Sequence, residues 1–120
     1  MAKEVGLLPC SGACNVGMMT TRAVVDVFSE KENTDFVCAL GLPLGIDGII
    51  KNGKSSDSYI AVNGCPVKCA TKALQSADIN VNEEIVLSEE YCIEKNKDLK
   101  QKMESNEVVN KLLDLVSELE

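Results

Sequence analysis

The sequence of 120 residues contains no histidine and no tryptophan, and it has only two phenylalanines and two tyrosines. Without an imidazole, Ser-His-Asp and Cys-His catalytic groups and all histidine-based metal sites are excluded. The scarcity of aromatic rings argues against a surface that stacks on sugars or nucleobases. Chemistry at neutral pH therefore has to depend on cysteine, lysine, carboxylates or the backbone.

Long apolar runs and a surplus of positive charge are also missing. Twelve Lys and Arg residues against nineteen Asp and Glu residues give a formal net charge of -7, which opposes binding to nucleic acid and to anionic membranes. Every uninterrupted apolar stretch is far shorter than a membrane span, and the first residues do not resemble a secretion signal. We therefore expect a cytoplasmic protein with neither nucleic-acid nor membrane partners.

The residues that are present predict one folded domain over 1–120. Apolar residues make up 45% of the chain and charged residues 26%, which is typical of a globular protein. Six cysteines stand out in so short a chain. In a reducing compartment, that many cysteines indicate metal binding or thiol chemistry more than structural disulfides.

Hydrophobic patterning predicts alternating strands and helices. Short apolar strands are predicted at 5–9, 36–40, 59–62 and 85–87, although 36–40 is also compatible with a buried helix segment. Helices are predicted from Val16, around 44–50, from Pro66 as a first helical position, and at about 105–119, where an apolar stripe indicates an amphipathic helix. The alternation favours an α/β fold, a small three-layer Rossmann-like or flavodoxin-like domain with a parallel sheet.

Five of the cysteines are predicted to meet at one edge of this sheet. Cys10 and Cys14 are four residues apart, as are Cys65 and Cys69, and each pair spans a predicted turn from strand to helix. Cys38 is placed at the end of the second predicted strand. Because such turns lie at the carboxyl ends of parallel strands, where ligands bind in open sheets, the thiols should converge there.

Thiols at this edge are suited to binding a soft metal ion. The positive end of a helix favours a thiolate over a thiol, and Lys68 and Lys72 add positive charge close to the second pair. Zinc accepts four thiolates, and an iron-sulfur cluster is also held by thiolates, so the residues alone do not separate these two cofactors. The competing interpretation is that a cysteine packs as a small apolar side chain. We favour this interpretation for Cys92, and for Cys38 we give it the same weight as metal binding.

Three segments resemble a known family. They are PCSG at 9–12, VCALG at 37–41 and IAVNGCPVKCA at 60–70, and together they are similar to the DGC-domain family, small proteins described as zinc-binding and named for an Asp-Gly-Cys motif. The resemblance runs from about residue 5 to about residue 100. It implies that four cysteines gather around one metal ion, namely Cys10, Cys38, Cys65 and Cys69.

Two positions depart from the family pattern. Asn63 stands where the Asp of the motif would be, which keeps the shape of the side chain and removes its charge. Cys14 is an additional thiol at a position where a small or polar residue is expected, so five sulfurs compete for four ligand places. Cys14 is therefore also the candidate for a catalytic residue.

Three functions follow from these residues. The first is a cytosolic zinc-binding protein that acts as a metal-handling or binding module. The second is a thiol redox or sulfur-transfer enzyme that uses Cys14 with Cys10 or Cys65, or that holds an iron-sulfur cluster. The third is an interaction protein whose acidic surface and C-terminal helix bind a protein partner. Whether the protein is an enzyme stays open at this point.

Overall fold

The computed structural model describes residues 3–103 and 106–120 of the chain. Its sheet has four parallel strands in the order β2-β1-β3-β4. The strands are β1 (Val5–Pro9), β2 (Thr34–Phe36), β3 (Ser58–Asn63) and β4 (Glu83–Val86). The helices are α1 (Asn15–Glu30), α2 (Asp47–Gly53), α3 (Cys69–Ser76), α4 (Leu87–Glu90) and α5 (Glu107–Leu119).

Helices cover both faces of the sheet, which confirms the predicted three-layer α/β fold. Side chains alternate along each strand, so Leu7 of β1 points to one face and Leu8 to the other. The Leu7 face packs against α1 and α5, and the Leu8 face packs against α3. The strand order is that of a flavodoxin-type sheet without a fifth strand.

The C-terminal helix is part of the core. The apolar face of α5 packs on α1 through Val108, Leu112 and Val116, which are almost completely buried. The predicted start of this helix at about 105 lies outside the described residues, and the observed range begins at Glu107. Because the centre of its apolar stripe is already covered, α5 offers a partner its polar side and the half-buried Val109, Leu113 and Leu119.

Several predicted boundaries differ from the structure. Strand β2 ends at Phe36 instead of continuing to residue 40, because the chain turns away after Val37 to bury Leu42 against the α3 face. The helix expected at 44–50 lies at Asp47–Gly53, and the last strand ends at Val86, one residue early, because α4 starts at Leu87. Cys38 therefore follows the end of β2 instead of lying within the strand.

The prediction that Pro66 begins a helix is wrong. The Lys68 N–H donates to the Cys65 carbonyl at 3.1 Å, which closes a turn, and α3 starts only at Cys69. Pro66 occupies the second position of this turn, where its fixed φ is suitable. None of the described helices has the length and apolarity that crossing a membrane requires.

Candidate thiol site at the carboxyl edge of the sheet

The candidate site lies where the chain connections diverge. From β1 the chain runs to β2 on one side, and from β3 it runs to β4 on the other, so the loops that follow β1 and β3 border a crevice at the carboxyl edge. Doubly wound sheets bind ligands in such a crevice. The first loop carries Cys10 and Cys14, and the second carries Cys65 and leads to Cys69.

Glycine allows these two loops to touch. A Cβ atom on Gly64 would lie 2.8 Å from the carbonyl carbon of Val16 and 2.9 Å from the backbone nitrogen of Gly17. Both distances are too short for a real Cβ, so any larger residue would separate the second cysteine loop from the first turn of α1. The close approach of the two backbones is what brings the two cysteine pairs to one place.

Four of the predicted cysteines line one pocket, which we call the inner pocket. It has a volume of 210 Å³. Its lining includes Cys10, Cys14, Cys65, Cys69, Lys95 and Lys97. The Sγ atoms of Cys10 and Cys14 each lie 3.9 Å from the position that a Cβ on Gly12 would occupy, so these sulfurs flank the glycine.

Cys38 lines a second pocket that adjoins the first, here called the outer pocket. It has a volume of 590 Å³ and a largely apolar lining that includes Phe36, Leu40 and Pro43. Cys10 and Cys69 border both pockets. The five thiols predicted to converge are therefore divided between two compartments with a shared wall.

The cysteines differ strongly in exposure. Cys14 is buried, with 6% of its surface exposed, Cys10 and Cys65 are half-buried, and Cys38 and Cys69 are exposed. Cys92 is also exposed and lines neither pocket. The interpretation of Cys38 and Cys92 as buried small apolar side chains is therefore wrong.

A segment without helix or strand, residues 91–103, lies across the start of α1; we call it the strap. The buried Asn15 amide donates to the Glu94 carbonyl at 2.9 Å and accepts from the Asn96 N–H at 2.8 Å. The Arg22 guanidinium donates to the carbonyls of Leu99 and Gln101 at 2.7 and 2.6 Å. These bonds hold the strap against the thiol loops.

The strap brings two lysines to the inner pocket. Lys95 Nζ lies 3.6 Å from Cys65 Sγ, and Lys97 Nζ donates to the Ala13 carbonyl at 2.8 Å. A neighbouring ammonium group stabilises a thiolate more than a thiol. Neither lysine was predicted from the sequence, because the segment has no hydrophobic periodicity. Their alternation in KNK at 95–97 does put them on the same side of an extended chain.

Asn63, at the position of the family Asp, fixes the start of α3. Its Oδ1 accepts from the N–H groups of Ala70 and Thr71 at 3.0 and 3.4 Å, and its Nδ2 donates to the Thr71 hydroxyl at 2.9 Å. Asn63 is fully buried, so no water replaces these bonds. This amide therefore sets the position of Cys69, the first residue of the helix.

The same network continues to the protein surface. The Thr71 hydroxyl donates to Glu84 at 2.7 Å, and the Lys68 ammonium contacts the other carboxylate oxygen of Glu84 at 2.8 Å. Lys68 has a φ of 59°, in the left-handed region that non-glycine residues rarely adopt. The ion pair holds this residue where the turn leads into α3.

We expect the contribution of this network to stability to depend on pH. The hydrogen bond from Lys68, followed by that from Thr71, lowers the pKa of Glu84 below its ordinary value of 4.5. The pKa of Glu84 is lower in the folded state than in the unfolded state. The stabilisation is therefore fully present above the ordinary pKa of 4.5, and it is lost as the pH falls through the folded-state pKa. Both side chains are partly exposed, so Glu84→Gln should cost less than about 1 kcal/mol at neutral pH.

Urea unfolding of wild type and Glu84→Gln at neutral pH and at about pH 3 measures this dependence. The difference between the two midpoints should shrink in acid. A difference that stays constant with pH would contradict the assigned role of the carboxylate charge.

The donor chemistry of the site fits a thiophilic metal ion, although the sulfurs are not gathered around one point. In the two ranges that the structure describes, no three Cys, Asp or Glu side chains lie close enough together to hold a metal ion. Zinc and iron-sulfur clusters bind cysteine sulfur as thiolate, and the sheet edge supplies five cysteines. Metal binding would therefore require the cysteine sulfurs to move closer together.

The fold and the site together define a three-layer α/β protein with thiols at the carboxyl edge of its sheet. The chain belongs to the DGC domain family, whose model matches residues 6–112. That range contains all six cysteines, the strap and the first part of α5, up to Leu112. No curated protein and no solved structure gives a significant match to the chain.

Proposed function

We propose that the protein is a cytosolic zinc-handling protein that binds one zinc ion through thiolates at the carboxyl edge of the sheet. The observation that carries the proposal is the convergence of Cys10, Cys14, Cys65 and Cys69 on one pocket from two separate loops. Cys10, Cys65 and Cys69 belong to the ligand set that the family resemblance implies. Cys38, its fourth member, borders the adjoining outer pocket.

Charge also supports the proposal. Four thiolates around a divalent zinc ion leave two negative charges, which are costly in a partly buried site unless they are compensated. Lys95 and Lys97 are the charged residues among those that line the inner pocket, in a chain with a net charge of -7. Two positive groups beside the pocket would balance the two negative charges of a zinc tetrathiolate.

The ion would be cargo and not a structural element. Of the four cysteines that line the inner pocket, only Cys14 is among the buried residues of the two apolar clusters on the faces of the sheet, and the other buried members of these clusters are not metal ligands. The sheet and helices therefore have a core that does not depend on metal ligation. Zinc-free protein should keep its helical circular dichroism, unlike a zinc finger, which unfolds without its metal.

Metal and acid-labile sulfide content, with an absorption spectrum, tests this function on untagged protein purified without air. We expect one zinc ion per chain, no sulfide and no visible absorption, and Cys92→Ser should give the same zinc content, because Cys92 lies outside both pockets. Iron with sulfide would instead support an iron-sulfur protein. Protein that neither retains nor takes up any metal would overturn the proposal.

A second function is favoured by the contact between Lys95 and Cys65. The Lys95 ammonium lies 3.6 Å from the sulfur of the half-buried Cys65, a position from which it could donate a hydrogen bond to a sulfur anion formed in a thiol redox or sulfur-transfer reaction. Cys65 is more accessible than the buried Cys14, so it is the better placed nucleophile. Limited alkylation of metal-free protein tests this reading, which requires Cys65 to react faster than the exposed Cys92.

A further inference from the structure

We infer that the two adjoining pockets form a relay, in which zinc first binds at the outer pocket and then moves to the inner one. The inference rests on the proposed zinc binding and gives separate roles to Cys38 and Cys14. Cys38 would be a transient ligand on arrival, and Cys14 would be a resident ligand. This assignment places Cys14, and not Cys38, beside the ion in its final position.

The shared wall makes such a relay possible. Cys10 and Cys69 border both pockets, so they can stay bound while the remaining ligands are exchanged. On one side they are joined by Cys38, and on the other by Cys14 and Cys65. An ion can therefore cross between the pockets without ever losing all of its protein ligands.

Exposure gives the relay its order. Cys38 and Cys69 are exposed and open to an incoming ion, whereas Cys14 is 6% exposed and belongs to the apolar cluster beneath α1. An ion that arrives from solvent meets the exposed thiols first. The buried thiol is reached only after the ion has moved inward.

Charge gives the relay its direction. The described residues that line the outer pocket carry no charged side chain, and Phe36, Leu40 and Pro43 make its rim apolar. The inner pocket contains Lys95 and Lys97. Because an anionic zinc-thiolate group is stabilised beside ammonium groups, it should be more stable in the inner pocket than in the outer one.

The transfer is an exchange of ligands without oxidation or reduction. The bond between zinc and Cys38 breaks while bonds to Cys14 and Cys65 form, and a solvent molecule that completes the coordination in the outer pocket leaves. Cys14 and Cys65 each lose a thiol proton to solvent when they bind, and the released Cys38 thiolate takes up one proton from solvent. Zinc stays divalent, no electrons are transferred, and the exchange releases one proton to solvent overall.

Two single substitutions, with Cys92→Ser as the matched control, separate the two roles. Zinc affinity is measured by competition with a chromophoric chelator, and zinc uptake by stopped-flow mixing of metal-free protein with zinc. Cys38→Ser should slow uptake by about tenfold and leave the affinity nearly unchanged. Cys14→Ser should weaken the affinity by about 100-fold and leave the initial uptake rate nearly unchanged.

The outcomes distinguish the relay from the proposed function. If Cys38→Ser weakens the affinity and Cys14→Ser does not, the ligand set implied by the family holds and the relay is wrong. Uptake by Cys38→Ser at the wild-type rate would also overturn the relay alone. Failure of the wild-type chain to bind zinc would overturn the proposed function, and the relay with it. Far-UV circular dichroism of each variant shows whether it is folded.

Discussion

Zinc affinity should fall by about 100-fold when Cys69 is replaced by serine, because this cysteine borders both thiol pockets. Zinc binding by four ligands in zinc-finger peptides is worth about 10–16 kcal/mol, and on that scale one thiolate of four accounts for roughly 3 kcal/mol. Serine has nearly the same shape but is a far weaker ligand for zinc. Titration against a competing chelator measures the loss.

Because Cys69 is exposed, Cys69→Ser should change zinc affinity without changing the stability of the fold. Cys69 is exposed at the first position of α3 and fills no part of the core, so the urea midpoint of the metal-free variant should equal that of wild type. Cys92→Ser is the matched control, since Cys92 is equally an exposed thiol but belongs to neither pocket. Wild-type affinity in Cys69→Ser would show that the site does not use this thiol.

Replacing Asn63 by alanine should destabilise the fold by about 2–4 kcal/mol. The substitution removes the acceptor for two N–H groups at the start of α3, which are then buried without that partner, and it removes the donor to the Thr71 hydroxyl, which keeps only its bond to Glu84. Asn63 is fully buried, so water does not compensate. The measurement is the free energy of unfolding in urea, on metal-free protein.

Asn63→Asp is the informative control for this position. A carboxylate keeps the acceptor for the Ala70 and Thr71 N–H groups and lies favourably at a helix N-terminus, but it cannot donate to the Thr71 hydroxyl. Asn63→Asp should therefore retain much more stability than the alanine variant. Equal losses in the two variants would show that the interaction with Thr71, and not the helix cap, provides the stabilisation.

Zinc affinity should follow the same order, because the cap on α3 also determines where Cys69 lies. A helix start that loses its cap frays, and a frayed first turn moves this thiol away from Cys65 and Cys10. Asn63 is therefore a positioning residue: it contacts no ligand, and its effect on the site is exerted through the helix.

Much of the fold was predictable because it depends on local patterns. Short apolar runs alternate along the chain with segments whose apolar residues have helical spacing. This alternation is typical of a parallel sheet covered by helices. The predicted boundaries were wrong where an apolar run does not form a strand. The run at 37–40 has the composition of a strand, yet β2 ends at Phe36 because the chain leaves the sheet to bury Leu42.

The convergence of the cysteines was also predictable, because it follows from topology. Residues at strand-to-helix turns of a parallel sheet lie on the same edge whatever their separation in the chain. The spacing of Cys10 with Cys14 and of Cys65 with Cys69 was therefore enough to place them together. The absence of histidine further restricts any metal site in this chain to sulfur and oxygen ligands.

The sequence by itself determined the fold class, the sheet edge and the kind of donor atom, since each depends on local periodicity or composition. Only the tertiary structure divided the thiols between two pockets and brought Lys95 beside Cys65. It also showed that Asn15 holds the strap, through contacts to residues about 80 positions away. Such contacts are single hydrogen bonds between distant, irregular segments. Because they do not recur at a regular spacing, they leave no pattern in the sequence.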